Sequence, residues 1–201
     1  VRDLAGWADL AEVTATVTAL ADIALEEAAS RIEAWLAASY GVPQGPGGSV
    51  QRLMVVGMGK LGGRELNVSS DIDLVFLYAE EGETRGPRSI SNCEFFTRVA
   101  RKLIAALSEI TADGFVFRVD MRLRPYGDSG PLACNLAMLE SYFITQGREW
   151  ERYAWIKARL VRGGGESELS ALVRPFVFRR HLDYGAIASM RSLHAQIRQE
   201  V

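Results

Sequence analysis

The stretch Gly62-Gly63-Arg64-Glu65-Leu66-Asn67-Val68-Ser69-Ser70-Asp71-Ile72-Asp73-Leu74-Val75-Phe76-Leu77 decides how this chain is read. It closes on an apolar run with the pattern of a buried strand, opened by two carboxylates. Residues two apart on a strand project from the same face. Asp71 and Asp73 are therefore predicted to project together, while Ile72, Leu74 and Phe76 face a core. Two carboxylates a few ångströms apart repel by on the order of 4 kcal/mol at an effective dielectric of about 20. A fold keeps such a pair when one carboxyl stays protonated or a cation lies between them. Oxygen-only ligands favour magnesium, commonly held by one or two carboxylates together with substrate phosphates.

Immediately upstream, Leu53-Met54-Val55-Val56 reads as a short buried strand. It runs into Gly57-Met58-Gly59-Lys60-Leu61-Gly62-Gly63, a glycine-rich turn opening a short helix. Gly57, Gly59 and Gly62 match GxGxxG, and Glu80 lies near where a dinucleotide fold would place its acid. Only Arg64 to Ser70 separate the last glycine from the next strand, which is short for a crossover between parallel strands. That reading also leaves Asp71 and Asp73 without a role. Lys60 is followed by Leu61 rather than Ser or Thr, so the turn is not a Walker A loop.

The second informative stretch is Phe115-Val116-Phe117-Arg118-Val119-Asp120-Met121-Arg122-Leu123-Arg124-Pro125. Its alternation predicts one strand with Phe115, Phe117, Val119, Met121 and Leu123 on the apolar face. Arg118, Asp120, Arg122 and Arg124 take the other. A polar face of this kind is either a solvated edge or a site for phosphate and metal together. The planar arginine fork donates two hydrogen bonds at once to a phosphate. Paired beside Asp71 and Asp73, this strand would bring Asp120 into a three-carboxylate cluster.

The flanking segments supply scaffold. Leu10, Val13, Val17, Leu20, Ala24, Ala28, Ile32 and Trp35 fall at helical steps and predict a helix from about Trp7 to Tyr40, with Thr14, Thr16 and Thr18 weakening its middle. Gly41 and Pro43 stop it, and Gln44 to Ser49 reads as a linker. Ala79 to Ser89 reads as a charged, mobile loop. Ser91 and Glu94 form a capping box before a helix whose face is Phe95, Val99, Leu103, Leu107 and Ile110. Tyr126 to Pro131 is a turn, and Asn135 caps a helix carrying Leu136, Leu139 and Phe143. A further helical stretch after Gly147 bears Trp150, Tyr153, Ala154, Lys157 and Val161, with Trp150 and Tyr153 expected in the core. Arg148, Lys157 and Arg159 either reach a substrate or face water. Helices are expected again over Leu169 to Arg174 and Ala186 to Val201. His181 and His194 lack metal-ligand spacing and read as solvated.

With 201 residues, 48% hydrophobic and 24% charged, the chain can bury a sizeable core. A net charge of −2 gives no electrostatic reason to expect a nucleic-acid partner. No apolar run reaches the roughly 18 residues that span a bilayer. Cys93 and Cys134 stand alone, as reduced cytoplasmic thiols do. Starting at Val1 and stopping inside a helical pattern at Val201, the chain reads as part of a longer one. Three units are expected: an N-terminal helical segment over 1–43, a catalytic core over 50–162, and the start of a helical region over 163–201.

A glycine-rich turn, Asp-x-Asp on a strand, and a distant third Asp among arginines form a two-metal nucleotidyl-transfer layout. In that layout Asp71 and Asp73 would hold two Mg2+ (or Mn2+) ions, and Asp120 the one nearest the nucleophile. Backbone amides of Gly62 and Gly63 would approach nucleotide phosphates, Ser70 would help hold a phosphate, and Arg122 and Arg124 would neutralise charge on phosphoryl oxygens. Residues 57–67 with Ser69 to Leu74, then 118–125, 147–154 and 174–179, resemble the glutamine synthetase adenylyltransferase/adenylyl-removing family of the DNA polymerase β-like nucleotidyltransferase superfamily.

The resemblance implies an α+β fold: a polymerase β-like core of mixed sheet and flanking helices. It also implies a chain with two such units, one removing AMP from a tyrosine of glutamine synthetase and one attaching it. Met121, the Gly130-Pro131 pair and Trp150 to Tyr153 resemble the amino-terminal, removing copy, in which inorganic phosphate attacks adenylyl-tyrosine and releases ADP. Its partners would be glutamine synthetase, the PII signal protein, ATP or ADP and phosphate, in the cytoplasm, with neither nucleic acid nor membrane. The short spacing from Gly63 to Asp71 departs from the wider superfamily. Transfer of AMP from ATP, and a silent nucleotide-sensing module, are the alternative readings.

Overall fold

The computed structural model describes residues 2–178 and Arg191. Both histidines, and the helix expected over 186–201 apart from Arg191, lie outside the described residues. In chain order the elements are α1 (Leu10–Tyr40), β1 (Val42–Gln44), β2 (Met54–Gly57), α2 (Gly59–Gly62), β3 (Ile72–Tyr78), β4 (Glu83–Arg85), α3 (Asn92–Ser108), β5 (Val119–Asp120), β6 (Ala133–Asn135), α4 (Leu136–Thr145), α5 (Glu149–Trp155), β7 (Arg159–Arg162) and α6 (Glu166–Val177). This is the expected α+β class, a mixed sheet flanked by helices.

β3 is the axis of the sheet. Leu74 to Leu77 of its apolar run pair antiparallel with the whole of β2, Met54 opposite Leu77 and Gly57 opposite Leu74. The antiparallel pairing disposes of a dinucleotide crossover, which needs parallel strands. On its other side β3 meets two short parallel strands in succession: β5 against Ile72 and Asp73, then β6 against Phe76 to Tyr78. β7 closes the far edge, antiparallel to β2 with a register shift between Val55 and Val56. β1 and β4 form a separate two-stranded ribbon, so the segment read as a loop over Ala79 to Ser89 contains a strand.

Alternation along β3 sends side chains into two cores. Ile72, Leu74, Phe76 and Tyr78 pack with α1 and α3 through Leu25, Phe95, Val99 and Leu103. Val75 and Leu77 pack on the opposite face with Leu139, Phe143, Trp155 and Phe176 of α4, α5 and α6. Asp73 is in phase with this second set, at the end of the strand where the apolar cover stops.

α1 is one continuous helix. Asp9 caps it, accepting Glu12 N at 2.7 Å, and Gly41 ends it at φ 91°. Thr14 and Thr16 sit within it by donating to the carbonyls of Leu10 and Glu12. Its buried stripe runs through Thr18, Ala21, Leu25, Ala29 and Leu36. Leu10, Leu20 and Trp35, expected on the packed face, are exposed. The contact is centred on alanines, which allow close approach to α3 and the sheet, rather than on the largest side chains.

Ser91 caps α3 by accepting Glu94 N, while Glu94 turns to Arg98 instead of back to the cap. The helix ends at Ser108, leaving Ile110 80% exposed. Among the described residues no helix is long and apolar enough to cross a membrane, and Cys93 and Cys134 are free thiols.

Two expectations for the second half fail locally. The long alternating strand over 115–125 is reduced to two paired residues. Asp120 Oδ1 accepts Arg122 N at 2.8 Å, which folds the chain into a turn in which Arg124 N reaches Met121 O. Phe115, expected on the apolar face, is exposed. The helix expected through Val161 stops at Trp155, and Arg159–Arg162 becomes β7. The arginines that look like solvated surface are staples to α1: Arg159 pairs with Asp22, and Arg162 with Glu26 and Glu33.

Candidate active site

The register of β3 and β5 sets Asp73 beside Asp120. Register partners on parallel neighbours project from the same face. Burial and then the charge of Asp120 push the Asp73 carboxyl above the usual carboxylate range; Asp71 adds to the rise and Arg122 opposes it. The hydrogen bond from Arg122 holds the Asp120 carboxyl below that range. Arg122 Nε donates to Asp120 Oδ2 at 2.7 Å, and its Nη2 lies 2.6 Å from the same oxygen.

Asp71 precedes the strand. Its Oδ1 accepts from Arg118 Nε, and Arg118 also donates to Ser69 O at 2.7 Å. Thus each outer carboxylate has an arginine and Asp73, between them, has none. Among the described residues no three carboxylate, imidazole or thiol groups are gathered closely enough to make a ready-made metal cage.

The glycine-rich turn abuts this cluster. Met58 N donates to Asp73 O at 2.9 Å. Gly59 has φ +52°, and a Cβ there would sit 3.0 Å from Asp73 Oδ2. Gly62 answers a different demand: its Cβ would lie 1.9 Å from Lys157 O. The amides of Gly62 and Gly63 donate to Met58 O and Gly59 O, so they close the turn and are not offered to a phosphate. Ser70 Oγ donates to Asn67 Oδ1 and accepts Lys60 Nζ at 3.4 Å. Lys60 thereby reaches the residue that precedes Asp71, a cation that no local sequence signal marks as part of the site.

Arg122 and Arg124 do not share a strand face. Arg122 is turned onto Asp120. Arg124 is largely buried, donating to Met121 O at 2.8 Å and pairing with Asp128. Both line a cleft of about 350 Å³ together with Tyr126, Ser129, Arg148 and Trp150. Trp150, expected in the core, is 41% exposed there; Trp155 takes the buried place.

The family model described as glutamate-ammonia ligase adenylyltransferase matches residues 1–173. Bifunctional glutamine synthetase adenylyltransferase/adenylyl-removing enzymes align over essentially the whole chain. The protein of Aromatoleum aromaticum is 61% identical over 100% of the chain, that of Burkholderia pseudomallei 62% over 99%, and that of Nitrosomonas eutropha 58% over 100%. The chain spans 21–22% of the length of these curated relatives. Match length and identity together place it: the chain belongs to the glutamate-ammonia ligase adenylyltransferase family.

Proposed function

We propose that this chain carries the adenylyl-removing site, which cleaves AMP from an adenylylated tyrosine of glutamine synthetase by metal-dependent phosphorolysis. The observation that carries the reading is the juxtaposition of Asp73 and Asp120 beside the Gly57–Gly63 turn. The names of the relatives supply the substrate.

The donor set fits a hard divalent cation. Asp73 is a half-buried carboxylate whose charge is made unfavourable by burial and then by the neighbouring Asp120, and Asp71 and Asp120 flank it. These three would hold Mg2+ or Mn2+. When bound, the metal neutralises phosphoryl oxygens and orients them for in-line displacement. Lys60 and Ser70 lie on the glycine-turn side and Arg122 on the other, each able to donate to phosphate oxygens.

In the reaction an oxygen of hydrogen phosphate attacks the α-phosphorus. The bond from phosphorus to the tyrosine oxygen breaks, and the proton of the phosphate passes to the departing phenolate. The products are ADP and tyrosine. Phosphate is already anionic, so no strong general base is required, and Asp120 acts by holding charge rather than by taking a proton. The reading carries with it the PII signal protein as regulator and the cytoplasm as location, both by family resemblance.

The test is ADP release by the complete protein from adenylylated glutamine synthetase supplied with phosphate and magnesium. Asp73→Asn should lower the rate by at least about 100-fold, on the scale of losing a principal electrostatic group. An unchanged rate would contradict the assignment. Because the relatives' names carry both activities, transfer from ATP is the second reading. It requires unmodified synthetase to gain the mass of AMP when ATP is supplied.

A further inference from the structure

Resting on the phosphorolytic reading, we infer that the cleft between the Arg122–Ser129 turn and the start of α5 is the subsite for the attacking inorganic phosphate, with Arg148 as its principal binding side chain. The cleft holds about 350 Å³ and has Arg122, Arg124 and Arg148 in its wall. Arg122 lines it and also pairs with Asp120, so one side chain links a ligand seated there to the carboxylates.

The charge of the wall calls for an acceptor-only ligand. Arg148 is exposed and has no ion pair among the described residues, unlike Arg122 and Arg124. Arg124 is only 11% exposed, and its Asp128 partner is itself largely in solvent. Guanidinium groups carry donors and no acceptor, and a tetrahedral oxyanion supplies the acceptors that Arg148 lacks.

The one carboxylate in the wall is already used. Glu151 accepts from Tyr142 Oη and, at 2.8 Å, from Arg148 N. It therefore fixes the backbone that presents Arg148, with one of these donors on each of its oxygens. The turn opposite is held open by Tyr126 at φ 62°, a conformation an L-residue adopts only at a cost, with its ring set on Tyr142 at 4.7 Å between centroids. Ser129 adds a hydroxyl to that side.

Trp150, in the same wall, reports occupancy without turnover. In the complete protein, titration with inorganic phosphate should quench or shift tryptophan fluorescence saturably, and Trp150→Phe should remove that signal. Arg148→Gln should raise the phosphate concentration at half-saturation by at least about 10-fold, with Arg148→Lys intermediate. In steady-state assays Arg148→Gln should raise KM for phosphate by a similar factor, with a far smaller fall in kcat and none in the affinity for adenylylated substrate.

ADP titrated in parallel separates the sources of the oxyanion. Weakened binding of phosphate alone supports a subsite for the free ion. Weakened binding of both supports one that goes on holding the same phosphate as the β-phosphate of ADP. Weakening of ADP alone, or of neither, overturns the inference. If Arg148→Gln turns over with an unchanged KM for phosphate, the cleft is wrong and phosphorolysis stands. If phosphate binds through Arg148 but wild type makes no ADP, phosphorolysis is wrong and the anion site stands.

Discussion

Asp120 stands beside Asp73 on the adjacent parallel strand, yet its charge is answered by Arg122, two residues along its own chain, through both a side-chain and a backbone hydrogen bond. The two acids therefore meet opposite electrostatic fates. Asp120 is stabilised as an anion, whereas Asp73 is half buried, repelled by its neighbours and without a donor of its own.

Opposite pH signatures follow for the metal-free protein. A raised carboxyl value means that the folded state holds the proton more tightly, so the stability Asp73 contributes is present below about pH 3.9 and lost as pH rises through its folded value. Asp73→Asn should therefore melt above wild type at pH 7, with the gap closing toward pH 4. For Asp120 the sign reverses: its contribution is present above about pH 3.9 and lost as pH falls through its lowered folded value. Asp120→Asn should melt below wild type at pH 7, by no more than about 1 kcal/mol because Arg122 is 84% exposed and screened. Thermal melts of both variants across pH in chelator decide the matter, and the reverse order would contradict it.

Neighbouring glycines in the turn should respond differently to a methyl group. At Gly62 a Cβ meets the backbone of Lys157 and Gly57, which cannot step aside, so Gly62→Ala should cost about 1–3 kcal/mol or more. At Gly63 the nearest atom is the mobile Lys157 Cδ at 3.1 Å, and Gly63→Ala should stay within about 0.5 kcal/mol. Urea denaturation of the two variants compares them directly. Were the glycines needed instead for phosphate approach, both would fold normally and both would lose activity.

Arg162 should be the most sensitive charged residue of the scaffold. It is buried, donates to Leu53 O at 2.8 Å, and pairs with Glu33, whose other oxygen accepts Leu53 N at 2.7 Å. Removing one partner of a buried pair leaves an uncompensated charge, so Arg162→Met should cost about 3–5 kcal/mol. Adding Glu33→Gln to that variant should cost much less than Glu33→Gln alone. Additive costs in the cycle would show that α1 is not clamped to β7 through this pair.

The sequence made some elements legible and hid others for identifiable reasons. β2 and β3 are continuous apolar runs bounded by glycine and by Asp71, and α3 carries its cap at Ser91, so each could be read locally. The nearness of Asp73 and Asp120 could be anticipated from two Asp-bearing apolar segments, although their pairing rests on one long-range register. β5 could not be sized, because its alternating pattern runs on while the Asp120 carboxylate captures Arg122 N and bends the chain. β7 was hidden because Arg159 and Arg162 look like surface until Asp22 and Glu33 of α1 are brought to them. Lys60 becomes a site candidate only in three dimensions, and the choice between substrate and water for Arg118 and Arg148 is likewise made only there, since nothing local distinguishes them from solvated charges.

Crystals of the protein soaked in manganese, with the ion located by anomalous scattering, measure the central claim most directly. The account predicts a manganese peak within coordination distance of both Asp73 and Asp120, with Arg122 withdrawn from Asp120. An empty space between the two carboxylates, with Arg122 still bound to Asp120 at saturating manganese, would contradict it.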